Sequence, residues 1–177
     1  MSGRRAVFLG VAAACITGCS GSLSVMSAVG VDSRGELGTE GRFAGHAGLG
    51  AQSLRLRTGM EVGGGYSERL RSLYVLTGAE VGVEGGQDAQ WAVGGLYSLR
   101  GVVARQVELQ HAVGIAAQAT FAFVRLPRER GRLFLGPRLS AEAVIDTRGN
   151  TAATEGVELY HLWLVVRWVT FDDSIGR

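Results

Sequence analysis

From Leu23 to Trp168 apolar residues recur at every second position, and this rhythm limits the possible folds more than any other feature of the chain. Side chains alternate faces along a β-strand, whereas on a helix they return to one face every third or fourth residue. Leu54, Leu56, Thr58, Met60, Val62 and Tyr66 share one face, against Arg55, Arg57, Gly59, Glu61 and Gly63. Trp91, Val93, Tyr97, Leu99 and Val103 oppose Gln90, Ala92, Gly94, Ser98 and Arg100. The same alternation runs through Leu23–Val31, Phe43–Ala51, Leu73–Val83, Leu109–Phe123, Leu133–Ile145 and Tyr160–Trp168, which makes eight segments. Several are longer than the usual strand of about 5–6 residues. They suit tilted strands that cross a bilayer, which need roughly 9–11. The pattern predicts an all-β fold, an antiparallel, eight-stranded up-and-down barrel.

Breaks in the rhythm mark the connections. Asp32–Gly41 reads as a turn-rich segment, Gln52-Ser53 as a tight turn and Gly85–Asp88 as another. Leu126–Gly131 interrupts the pattern, Thr147–Gly156 is a long polar loop, and Gly63–Gly65 reads as a turn or bulge. The 28 glycines are scattered through apolar segments and form no linker, so residues 19–177 are expected to be one domain.

One face is large and apolar, and the other is small and polar. A soluble barrel or sandwich buries the apolar face, whereas a transmembrane barrel turns it to lipid and encloses the polar one. The polar face here is short of charge for a solvated surface, and the chain contains no Lys at all. Its Gly and Ala suit the narrow interior of an eight-stranded barrel. Tyr160 and Trp168 bracket an apolar run of a height that matches the band between aromatic girdles. These features favour the transmembrane arrangement. Arg55, Arg57, Glu61, Glu80, Arg100, Glu108, Arg138, Glu142 and Arg167 would then point inward and pair, because an isolated enclosed charge costs several kcal/mol. A plugged lumen crossed by Arg–carboxylate bridges is expected, with Glu80 and Glu108 as salt-bridge partners and not a catalytic pair.

The first residues carry an address. Arg4 and Arg5 precede an apolar run, Ala6–Ile16, too short to span a bilayer as a helix, which needs roughly 20 residues. Ile16, Thr17, Gly18 and Cys19 follow, and this stretch resembles the lipobox of bacterial lipoprotein precursors. The resemblance implies a signal peptide over residues 1–18, cleaved before Cys19, and fatty acyl chains on Cys19 that make membrane lipid its partner. Ser20, where some bacteria place an Asp as an inner-membrane retention signal, implies the outer membrane as destination. The alternating part in turn resembles the small eight-stranded outer-membrane barrels of Gram-negative bacteria, whose chain ends both lie in the periplasm.

Several functions lose their chemical basis. Cys15 leaves with the leader and Cys19 is taken by lipid, so no thiol remains for a disulfide, metal or nucleophile. Without Lys there is no Schiff base and no P-loop. Once the leader is removed, Arg and carboxylate numbers balance, which gives no nucleic-acid footprint. His46, His111 and His161 lie in separate strands without ligand-spaced neighbours, so no metal or cofactor is expected. The sequence points to a non-enzymatic, lipid-anchored outer-membrane barrel with a structural or surface-interaction role in the envelope. The alternative is a periplasm-facing lipoprotein whose soluble barrel or sandwich binds a small apolar ligand or an envelope partner.

Overall fold

A computed structural model describes residues 20–51, 53–68, 71–103, 107–125, 131–145 and 157–171. Eight strands close into one antiparallel barrel: β1 (Ser20–Asp32), β2 (Leu37–Ala51), β3 (Leu54–Ser67), β4 (Ser72–Gly86), β5 (Ala89–Val103), β6 (Val107–Arg125), β7 (Arg132–Ile145) and β8 (Val157–Phe171). Each strand pairs with its sequence neighbours, and β8 returns to β1, with Ser20 opposite Phe171 and Asp32 opposite Leu159. We call the end where β1 starts and β8 finishes the terminal rim, and the opposite end the far rim. The lipobox residues Ile16, Thr17, Gly18 and Cys19, most of Leu126–Gly131 and the loop Thr147–Gly156 lie outside the described residues.

Alternating burial runs through every strand; in β1 it is unbroken from Ser20 to Asp32. The apolar set is the exposed one. Leu109, Val113, Ile115 and Leu139 point outward with 54, 42, 67 and 60% exposure, while Glu142 is 2% exposed inside. A soluble barrel requires the opposite arrangement, so the soluble alternative is overturned. Of the outward strand side chains described, none is Arg, Asp or Glu, and His111 is held by the Tyr97 hydroxyl, 2.6 Å from Nδ1. Tyr66 and Tyr160 lie toward the far rim, and Trp91, Trp168, Phe121 and Phe123 toward the terminal rim. The Tyr160–Trp168 run, at about 3.3 Å per residue and a tilt of roughly 40°, gives an apolar band about 20 Å tall.

Two turn expectations are corrected. The β1–β2 connection is a tight turn closed by Asp32, whose Oδ1 accepts hydrogen bonds from the Arg34 and Glu36 amides at 2.8 and 2.9 Å, with Gly35 at φ 86°. Residues 37–41, expected to be part of a turn, belong to β2. Gly63–Gly65 likewise makes no bulge: all three pair in register with β2 and β4. These glycines serve close approach instead. A Cβ on Gly65 would come within 2.7 Å of the Tyr74 hydroxyl, and one on Gly63 within 3.0 Å of Arg42. An irregularity does occur between Ala122 and Val124, where the β6–β7 register shifts.

Inside the barrel, large side chains sit opposite small ones. Tyr74 pairs with Gly65, His46 with Gly59, His161 with Gly30 and Trp163 with Ala28. Trp163, Phe134, Val165 and Val169 are essentially fully buried, so the lumen is a packed core as well as a polar one.

Candidate functional site

The inward positions of β2, β3, β4, β5, β7 and β8 supply a column of ion pairs. Arg42 stands at its centre with every guanidinium nitrogen engaged: Nε donates to Glu40, Nη1 to Glu61 at 2.7 Å and Nη2 to Glu142 at 2.6 Å. Its plane lies 4.6 Å from the Trp163 ring centroid, and the Trp163 indole N–H donates to Ser140 Oγ at 3.0 Å. Toward the far rim, Arg100 reaches Glu142 at 2.7 Å and Glu40 at 3.7 Å, while the Tyr74 hydroxyl donates to Glu40. Toward the terminal rim, Arg138 joins Glu61 at 2.9 Å to Glu80 at 3.1 Å. Arg57 then joins Glu80 at 3.3 Å to Glu84 at 3.8 Å, and Arg167 meets Glu84 at 2.6 Å.

The result is an unbroken alternation of sign: Arg100, Glu142, Arg42, Glu61, Arg138, Glu80, Arg57, Glu84, Arg167. Each link joins different strands, so the column staples the barrel wall internally. It also fills the space an aqueous pore would need. Charges so enclosed are tolerated only when every partner is in place; removing one member leaves the others desolvated and unpaired.

Seven of the residues expected in the lumen network, Arg57, Glu61, Glu80, Arg100, Arg138, Glu142 and Arg167, are linked in this column, and Arg55 is buried beside it. The side chain of Glu108 lies outside the described residues. Glu40, Arg42, His46, Glu84 and His161 also face inward and were not among the nine residues expected to form the network. For Glu40 the cause is the mistaken turn; its signal was the phase of β2, which extends from Arg42 back to Glu40 without a break.

The expectation for histidine is corrected too, because the barrel brings together what sequence spacing separates. His46, Glu61 and Glu80 converge, with one ligand-type atom from each within 4.8 Å of the others. Guanidiniums already occupy those atoms: Arg57 Nη2 is 2.9 Å from His46 Nε2, and Arg138 holds both carboxylates. The cluster has its positive partners within the chain, so it acts as part of the ion-pair column.

A closed barrel whose described outward strand side chains include no Arg, Asp or Glu, with an ion-paired interior, defines a small eight-stranded β-barrel of the outer-membrane type. No protein-family model matches the chain, and no curated protein matches it either. Solved structures do. The outer membrane enzyme PagL superposes with a TM-score of 0.61 at 16% identity, over 80% of this chain and 97% of that one. Neisserial surface protein A, NspA, gives a TM-score of 0.50 at 15% identity, over 85% of this chain and 96% of that one. At these identities the likeness is one of fold.

Proposed function

We propose that this chain is a lipid-anchored barrel of the bacterial outer membrane, non-enzymatic, with a structural or surface-interaction role in the envelope. The observation that carries this reading is the exterior: a continuous apolar band without Arg, Asp or Glu among its described side chains, flanked by aromatic residues. The column supports a structural use of the interior, since its acidic and basic groups are engaged with one another. Cys19, the acylation site implied by the lipobox, immediately precedes the first residue of β1 in the sequence, so a lipid on it would attach next to the terminal rim. A membrane-facing barrel and an acyl anchor at that rim would use the same leaflet.

Heat-modifiable migration of the protein in outer-membrane fractions tests the barrel; mobility unchanged by boiling would refute it. Replacing Leu164, midway between Tyr160 and Trp168, with Arg is predicted to cost about 2–4 kcal/mol of stability in lipid, as a charge at the bilayer midplane does. A Leu164→Arg barrel as stable as the parent would show that this face does not meet lipid. The anchor is tested separately by Cys19→Ala, which should leave unprocessed precursor. Normal processing of that variant would remove the lipid and leave the barrel standing.

A further inference from the structure

Near the terminal rim of the column, three guanidiniums among the described residues, Arg57, Arg138 and Arg167, share the carboxylates of Glu80 and Glu84. Arg55, Arg57 and Arg167 surround one carboxylate, Glu84: Arg167 Nη2 and Arg57 Nη1 approach the same Oε2 at 2.6 and 3.8 Å, and Arg55 and Glu84 both border Gly48. The next carboxylate, Glu80, is divided among Arg138, Arg57 and His46 at 3.1, 3.3 and 3.3 Å. Toward the far rim the ratio reverses, with Glu40, Glu61 and Glu142 around Arg42 and Arg100.

A second observation concerns hydrogen bonding. Buried polar atoms without a hydrogen-bond partner gather in the same stretch: Arg167 Nε, Ser24 Oγ, Thr120 Oγ1 and both amide atoms of Gln118, while Arg57 Nε and Nη1 make only long ion pairs, to Glu80 and Glu84. Thr120 is fully buried and pairs across β5–β6 with Gln90, which holds Arg167 Nη1 at 3.4 Å. Ser24 pairs with Arg167 across β1–β8. The far half leaves fewer such atoms, Arg100 Nε and His161 Nδ1 among them. Guanidiniums that share carboxylates and donors without acceptors are both unfavourable when buried. A single bound anion relieves both, because it brings negative charge and accepts several charge-assisted hydrogen bonds at once.

We propose that the terminal-rim half of the lumen binds a small inorganic anion. Arg57 and Arg167 supply the charge, and Ser24 and Thr120 the neutral donors. The site lies apart from Arg42, where three carboxylates already meet one guanidinium and would repel an added anion.

The test uses the protein purified from membranes in a zwitterionic detergent. It is titrated with bromide, chloride and inorganic phosphate at constant ionic strength, with a bulky organic sulfonate as filler, and the thermal unfolding midpoint is followed. A saturable rise is expected with at least one of the three, with bromide producing anomalous scattering beside Arg57 and Arg167 if the site takes halides. Response to bromide and chloride alone identifies a halide site; response to phosphate identifies an oxyanion site. Arg167→Gln should weaken the apparent affinity at least tenfold. Should that variant fail to fold, Thr120→Val takes its place with an expected loss of several-fold, and Ser98→Ala in the far half should bind as the parent does. A response that never saturates would reduce the effect to ionic screening and overturn the proposal. So would saturation unaffected by both Arg167→Gln and Thr120→Val. A flat response that becomes saturable only in Asp172→Asn/Asp173→Asn would mean that the chain supplies its own counter-charge, and the proposal would be lost.

Discussion

The two halves of the lumen are built from the same residue types and hold their charges in different ways. Around Arg42 one guanidinium satisfies three carboxylates from β2, β3 and β7 at close range, with an indole stacked against it. Around Arg57 the contacts to carboxylates lengthen to 3.3 and 3.8 Å, and hydroxyl and amide groups are left without protein partners. The difference is one of stoichiometry, although the terminal-rim half also holds the β6–β7 register shift between Ala122 and Val124. Engaging one cation from several strands locks the wall. Sharing one carboxylate among several cations leaves donors that a further acceptor could engage.

Four substitutions in matched pairs and two single ones would break or sharpen this contrast. The largest effect is expected from Arg42→Met, which takes the shared cation from three buried carboxylates and should cost about 3–5 kcal/mol of unfolding stability in lipid vesicles. Arg57→Met, which removes one good hydrogen bond to His46 and two long ion pairs, should cost about 1–3 kcal/mol. Equal losses would erase the distinction. Next come two glycines. A Cβ on Gly63 would run into the Gly41 carbonyl and Arg42, so Gly63→Ala should cost about 1–3 kcal/mol through overpacking. A Cβ on Gly48 meets the ends of Ser20 and Glu84, which can swing aside, and Gly48→Ala should stay within about 0.5 kcal/mol. Thermal midpoints of the two variants side by side decide the point. The smallest effects separate a used hydroxyl partner from an unused one. Trp163→Phe gives up the bond to Ser140 at about 0.5–1.5 kcal/mol, whereas Ser24→Ala should be neutral within about 0.5 kcal/mol without added anion.

How much of this was legible in the sequence follows from how each feature is encoded. Alternation is local, so the eight strands, the exposed Ile115 and Leu139 and the inward Arg138 and Glu142 could be read directly. Turn chemistry was less reliable. Gly38 and Gly41 resemble turn residues, yet they sit in β2, where a Cβ at Gly38 would press within 3.1 Å of the Tyr66 carbonyl. The partners within the lumen were not legible at all, because they depend on register and closure. Arg42 and Glu142 are 100 positions apart, and His46 and Glu80 are 34 apart. Phase says that such residues point inward; only the closed barrel decides which of them share a level. The resemblance of Ile16–Cys19 to a lipobox is a different kind of signal, carried by the linear chain and not by the fold, and the proposed anchor rests on it.

The pairing of β1 with β8 has a consequence for assembly. Ser20 and Phe171, the first and last strand residues, are hydrogen-bonding neighbours, so neither strand has both its partners until the whole chain is present. Until that moment the growing sheet exposes two edges, and in hydrocarbon unpaired backbone amides are not tolerated. Insertion therefore cannot proceed strand by strand through the lipid; the sheet must be kept paired or wet until its last strand arrives. The column makes the same demand, since Arg167 on β8 is one of its members. The seam and the ion pairs that Arg167 contributes are thus completed together, when the last strand pairs.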